Sequence, residues 1–178
     1  MTHILADILS LTQYQEWLNK ESKQHRLTHC PHCGKARLHL HGHYPRKSDR
    51  SAAGQSLNPI LIQRYYCPAC KKTCSVLPEC IPPHRWYLWE TQQIALVLIL
   101  SGQSICAIAK KIMPAQRTIA RWMARFRDQF HIHKDALCNH IAALGRTIGF
   151  TDFWLTCLKT MSLSKAMRIC HVAGGFIP

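Results

Sequence analysis

Acidic residues are scarce: 9 Asp+Glu stand against 23 Lys+Arg in 178 residues, for a formal net charge of +14. So few carboxylates leave little room for an active site built on them. Long hydrophobic runs are missing too. The longest, Ile94 to Leu100, spans seven residues, whereas a membrane-spanning helix needs ~20. Neither a transmembrane segment nor a membrane partner is therefore expected. The first 25 residues contain Asp7, Glu16 and Glu21 and no early basic cluster, which argues against a secretory signal. There is no Gly-rich phosphate loop, no nucleophile elbow, no repeat and no low-complexity segment. Hydrophobic residues nevertheless make up 47%, so the chain can build a core. Its length suits one modest domain or two small ones.

The positive charge sits in the middle of the chain. Residues 1–29 are neutral overall, whereas residues 30–84 carry eight Lys+Arg against two acids and residues 85–130 seven against two. A field of this sign attracts polyanions, of which nucleic acid is the commonest. A merely solvated basic surface is the plainer alternative.

Ten cysteines are present, and four form two pairs, Cys30-Pro-His-Cys33 and Cys67-Pro-Ala-Cys70, separated by the 33 residues 34–66. Two intervening residues let the chain turn sharply enough for both thiolates to meet one ion. Two such knuckles supply the ligands of a tetrahedral four-cysteine zinc site, with no position left for water, so the expected cofactor is one structural Zn2+. Disulfides would need an oxidising compartment. A redox-active pair would occur once, beside a βαβ pattern.

Strand patterns flank the knuckles. Arg37 to Tyr44 alternates with period two, Ile60 to Tyr66 is rich in β-branched and aromatic residues, and Thr73 to Leu77 could form a third strand. Knuckle, strand, loop, strand, knuckle, strand is the order of a zinc ribbon. The surplus spacer lies in the polar stretch Pro45 to Ser56. His39, His41 and His43 are expected on one strand face. His29, His32, Cys74, Cys80 and His84 are weaker candidates for extra ligands; small cysteines more often fill a ribbon core.

Cys80-Ile-Pro-Pro-His84 reads as a linker, after which the period becomes helical. Trp89 to Leu100 is apolar on most faces, Ser101-Gly102 breaks it, and Ser104 suits the N-cap of a helix from Ile105 to Ile112. Met113-Pro114 turns the chain into a third helix, from about Ala115 to about Phe130. Ile119, Trp122, Met123 and Phe126 share one face of that helix, and Gln116, Arg117, Thr118, Arg121 and Arg125 share the other. Two short helices, the second with a basic exposed face, describe a helix-turn-helix reading double-stranded DNA. Gln116 could then pair with adenine and Arg117 or Arg121 with guanine. Arg125, Arg127, Lys110 and Lys111 would touch phosphates. Arg46, Lys47, Arg50, Lys71 and Lys72 would extend the footprint. A plain helical hairpin is the alternative.

The fold expected is thus α+β, with a small four-cysteine zinc ribbon followed by an all-helical helix-turn-helix region. Residues 1–26 form an N-terminal helical segment, 27–84 the ribbon, 85–130 the DNA-binding region and 131–178 a helical tail. The motifs Cys-Pro-His-Cys-Gly at 30–34, Arg-Tyr-Tyr-Cys-Pro-Ala-Cys-Lys-Lys-Thr at 64–73 and the helical pair at 105–124 occur in an order that resembles the N-terminal modules of bacterial insertion-sequence transposases and their small regulatory companions. The resemblance covers residues 27 to 130. It implies binding to transposon ends or repression of the element's promoter, in the cytoplasm at the nucleoid, with Cys30, Cys33, Cys67 and Cys70 as ligands and the 115–125 helix as reader. Partners would be DNA, a catalytic transposase subunit and a second copy of the chain.

Those transposases cut with three carboxylates holding two metal ions. Asp152 could stand for the first, but no Asp or Glu follows it, so no enzyme is expected from this chain alone. Two rival readings are a zinc-ribbon adaptor that contacts protein and a single-stranded RNA binder that stacks bases on Tyr65, Tyr66 and Trp86.

Overall fold

The computed structural model describes residues 2–6, 8–21, 27–47, 59–83 and 87–174, with Lys20 and Glu21 as backbone only. Arg50, His84, Trp86 and most of the polar spacer lie outside the described residues. The fold is α+β, with a four-stranded sheet and seven α-helices among the described residues. It divides into two units, Met1–Tyr87 and Leu88–Pro178.

The first unit holds the sheet, in the order β1-β4-β3-β2. Strand β2 spans His39–Arg46, β3 Ile60–Cys67 and β4 Lys72–Pro78, and these three pair antiparallel. The fourth strand, β1, is Thr2–Leu5, and it lies parallel to β4. This corrects the expectation of a helical segment over residues 1–26. Helix α1 occupies only Leu11–Glu21, and the apolar Ile4 and Leu5 are taken instead by the open edge of β4. Helix α1 is tied to the sheet through Tyr14, which is fully buried. Its hydroxyl donates to the Val76 carbonyl at 3.1 Å and accepts from the Gln63 amide at 3.3 Å. The chain after β4 also belongs to this unit rather than to a linker. Ile81 is buried, and the Arg46 guanidinium donates to the Pro82 carbonyl.

Strand β2 contains a bulge between Leu40 and His43, at Gly42 with φ +72°. The extra residue shifts the alternation. His39 pairs with Tyr66 while His43 pairs with Gln63, so the two lie on opposite faces. His41 stays on the Tyr66 side, with ring centroids 5.9 Å apart. The three histidines expected on one face are therefore split two and one.

The second unit is helical. Helices α2 (Trp89–Leu100), α3 (Ile105–Ala109) and α4 (Gln116–Asp128) each pack on the other two. Gly102, at φ +86°, closes α2; its amide bonds the Ile99 carbonyl and the Gln103 amide bonds that of Leu98. Ser104 caps α3, its hydroxyl accepting from the Ala107 amide. Helix α3 stops at Ala109, three residues short of Ile112, with Lys110 as its cap. Helix α4 begins at Gln116, with Ala115 as its cap and Pro114 in the turn before it.

Helices α5 (Phe130–Cys138), α6 (Gly149–Thr160) and α7 (Leu163–Val172) complete the unit, with a short 3-10 turn at Ala142–Arg146. Their core is aromatic. Trp154 and Phe153 are fully buried, and Trp154 meets Phe126 and Phe153 edge-on, with ring centroids 5.3 Å and 5.5 Å away. Gln93 of α2 accepts from the Leu163 amide at 2.7 Å, which fixes the start of α7. Asp152 lies in the first turn of α6 and accepts from the Ile148 amide at 2.9 Å. The residue that could stand for the first carboxylate of a triad thus caps the start of α6. Among the described residues, no helix is long and apolar enough to cross a membrane.

Candidate metal centre and nucleic-acid interface

The two Cys-x-x-Cys pairs meet. The Sγ atoms of Cys30, Cys33, Cys67 and Cys70 all lie within 4.8 Å of one another. Cys30 is 3.7 Å from Cys70, and Cys33 is 3.7 Å from Cys67. A tetrahedron with metal–sulfur bonds of ~2.3 Å has edges of about 3.8 Å, so the four sulfurs fit one tetrahedral ion. They are far outside the S–S distance of a disulfide, ~2.05 Å. Such a thiolate set is compatible with a structural zinc.

Local backbone geometry builds each knuckle. In the first, the Gly34 amide bonds the Cys30 carbonyl at 2.8 Å and the Cys30 amide bonds the Lys35 carbonyl at 2.9 Å. The His32 amide donates to Cys30 Sγ at 3.4 Å. The residue after each second cysteine is left-handed. It is Gly34 (φ +70°) in the first knuckle and Lys71 (φ +56°) in the second. Glycine adopts this conformation freely, whereas lysine does so at a cost.

The sulfurs differ in acidity. Burial raises the Cys30 thiol, but the His32 and Cys33 amides and the Cys67 and Cys70 thiols outweigh it and bring it down to about 7. Cys70 is pushed up to about 12, by burial first and then by its sulfur neighbours, against the Lys72 amide. The cluster thus favours thiolate, the metal-binding form, at one of its sulfurs.

The weaker ligand candidates fall elsewhere. The group that meets the distances above contains no histidine. His32 is half-buried, and its ring engages the Thr73 backbone. Cys74 is buried beside Leu38, Tyr65 and Val76 in the core under the knuckles, and burial raises its thiol.

Helix α4 shows a clean division. Ile119, Trp122, Met123 and Phe126 are buried, and the first three and Phe126 meet Gln92, Ala95, Leu96 and Ile99 of α2 along one seam. Gln116, Arg117 and Arg121 are exposed on the other side, with Thr118 and Arg125 half-buried. Lys110 and Lys111 are exposed in the turn before α4, and Lys111 Nζ donates to Gln103 at 2.7 Å. Lys47, Lys71 and Lys72 are exposed on the first unit, while Arg46 is half-buried. Arg46's bond to Pro82 carries no signal in the sequence, because it depends on where the chain after β4 returns.

A family model described as a domain of unknown function, DUF6431, matches residues 30–122, just over half of the chain, and the chain belongs to that family. The match starts at the first cysteine of the first knuckle and ends at Trp122 in α4. No curated protein and no solved structure matches the chain.

Proposed function

We propose that this member of the DUF6431 family is a non-enzymatic, sequence-specific double-stranded DNA-binding protein, stabilised by one structural zinc and associated with a mobile element. The first unit is read as a zinc ribbon and α2–α4 as a helix-turn-helix region. The observation that carries the reading is the division of α4. One face is fixed by its apolar stripe against α2, and the other presents Gln116, Arg117 and Arg121 in its first half. A helix anchored in this way can enter a major groove with its N-terminal side chains at the base edges. Gln116 suits adenine, and Arg117 and Arg121 suit guanine. Lys110, Lys111 and Arg125 then lie at the flanks as phosphate contacts. Lys47, Lys71 and Lys72 add positive charge on the first unit.

The test is selection of bound duplexes from a random library at moderate salt, with zinc assayed on the same sample. An enriched motif with one zinc per chain supports the reading. Arg121→Ala should then relax preference at one base position, a loss of ~1–3 kcal/mol in discrimination. Zinc without any enriched motif would favour a protein-contacting adaptor and remove α4 from the role of reader.

A further inference from the structure

The sheet of the first unit has two faces of different character. Strand register places Tyr65 and Gln63 with Cys74, Val76 and Leu40 on one face, and the core under the knuckles lies there. Ile60, Ile62, Arg64 and Tyr66 lie on the other, with Tyr44, His39, Thr73 and Ser75 as cross-strand neighbours. Burial along this second face is graded. Ile60 and Ile62 are buried at the end where Arg46 reaches Pro82, whereas Arg64, Tyr66, Tyr44, Thr73 and Ser75 are half-exposed and His39 and His41 exposed.

The open half is unusual for a solvated sheet surface, because it is aromatic and cationic at once. The Arg64 guanidinium lies 5.8 Å from the Tyr44 ring centroid and donates to Thr73 Oγ1 at 3.2 Å. One donor of its five is used in that bond, so its planar fork can also meet a phosphate. Tyr66 holds its ring beside His41. Half-exposed rings on neighbouring strands, with an arginine beside them, are what unpaired bases stack on. The segment that carries this face has the complementary sign, since residues 30–84 carry eight Lys+Arg against two acids.

We propose that this open sheet face binds single-stranded nucleic acid. Bases stack on Tyr66 and Tyr44, and the backbone phosphate meets Arg64. The site uses no residue of α4 and does not depend on its reading of duplex DNA. It also differs from a stacking site on Tyr65 and Tyr66 together, because Tyr65 is on the opposite face and only 3% exposed.

The test uses the full-length zinc-loaded protein and fluorescein-labelled twelve-residue oligothymidylate and oligouridylate, with affinity read by anisotropy at moderate salt. Tyr66→Ala and Arg64→Ala should each weaken binding about ten-fold or more, Tyr66→Phe should retain it, and Arg121→Ala should leave it unchanged. Preference between the two oligomers tells DNA from RNA. Photo-crosslinking of the wild-type protein to iodouracil-containing strands provides a readout independent of any variant's folding. Crosslinks within residues 39–44 or 64–66 support the site. Crosslinks confined to residues 116–125, or unchanged affinity in a zinc-retaining Tyr66→Ala protein, overturn it even if α4 proves to be a duplex reader.

Discussion

Residues 1–87 gather Leu38, Tyr65, Cys67, Cys74 and Val76 around a group of four cysteines, with α1 pinned to the sheet by one hydroxyl. Residues 88–178 bury Phe126, Ile119, Leu137, Leu144, Phe153, Trp154, Leu163 and Met167 with no such group among the described residues. Small units bury too little apolar surface to be secure by that means alone. On the proposed zinc reading, the first unit makes up the difference through ligand chemistry, whereas the second does so through aromatic packing. It follows that each should fail to a different insult.

The largest effect is expected from Cys67→Ser. Structural zinc sites contribute ~10–16 kcal/mol of apparent binding free energy, so this variant should lose its zinc by native mass spectrometry and lose the sheet. The helical circular dichroism of the second unit should persist. Trp154→Ala should do the reverse. Removing a fully buried tryptophan costs ~3–5 kcal/mol, so the helical transition should fall in temperature while one zinc per chain is retained. Simultaneous loss of both units in either variant would show that they fold as one.

Tyr14→Phe comes next. It leaves the Gln63 amide and the Val76 carbonyl without their hydroxyl partner, a cost of ~1–3 kcal/mol in the first unit alone. Burial also pushes the Tyr14 hydroxyl up from 10.0 to about 12. The folded chain keeps this proton where the unfolded chain has released it. Stability conferred below pH 10 is therefore lost as the pH rises from 10 towards 12, and the Phe variant should lack that part of the alkaline decline in denaturant titrations.

The smallest effects concern the left-handed residue of each knuckle. Lys71→Gly should stabilise the first unit by ~1 kcal/mol and Gly34→Ala should destabilise it by about as much, since both positions have positive φ. Denaturation midpoints at fixed zinc concentration would measure both.

Much of this division was legible in the sequence. The spacing of Cys30, Cys33, Cys67 and Cys70 brings four sulfurs together because each pair is a local turn. Helix α2 has the bounds its apolar run indicates, and the period of Ile119, Trp122, Met123 and Phe126 identifies the buried face of α4. What was hidden depends on distant partners. Ile4 and Leu5 suit a helix or a strand equally until the edge of β4 is present to choose. The alternation of His39, His41 and His43 is broken by a single residue, Gly42, that is left-handed in the fold. Tyr14 looks like one more apolar position in a helix, and only the meeting of α1 with β3 and β4 makes its hydroxyl structural. The chain's return after β4 similarly determines which half of the sheet face is open.

Hydrogen exchange on the full-length protein, before and after zinc is withdrawn by a chelator, tests the division most directly. Amides of β3 and β4 should lose protection when the metal leaves, while those of α2, α4 and α6 remain slow. Unchanged protection in β3 and β4 without metal would contradict a ligand-held first unit, and equal loss in both units would contradict their separate means of stability.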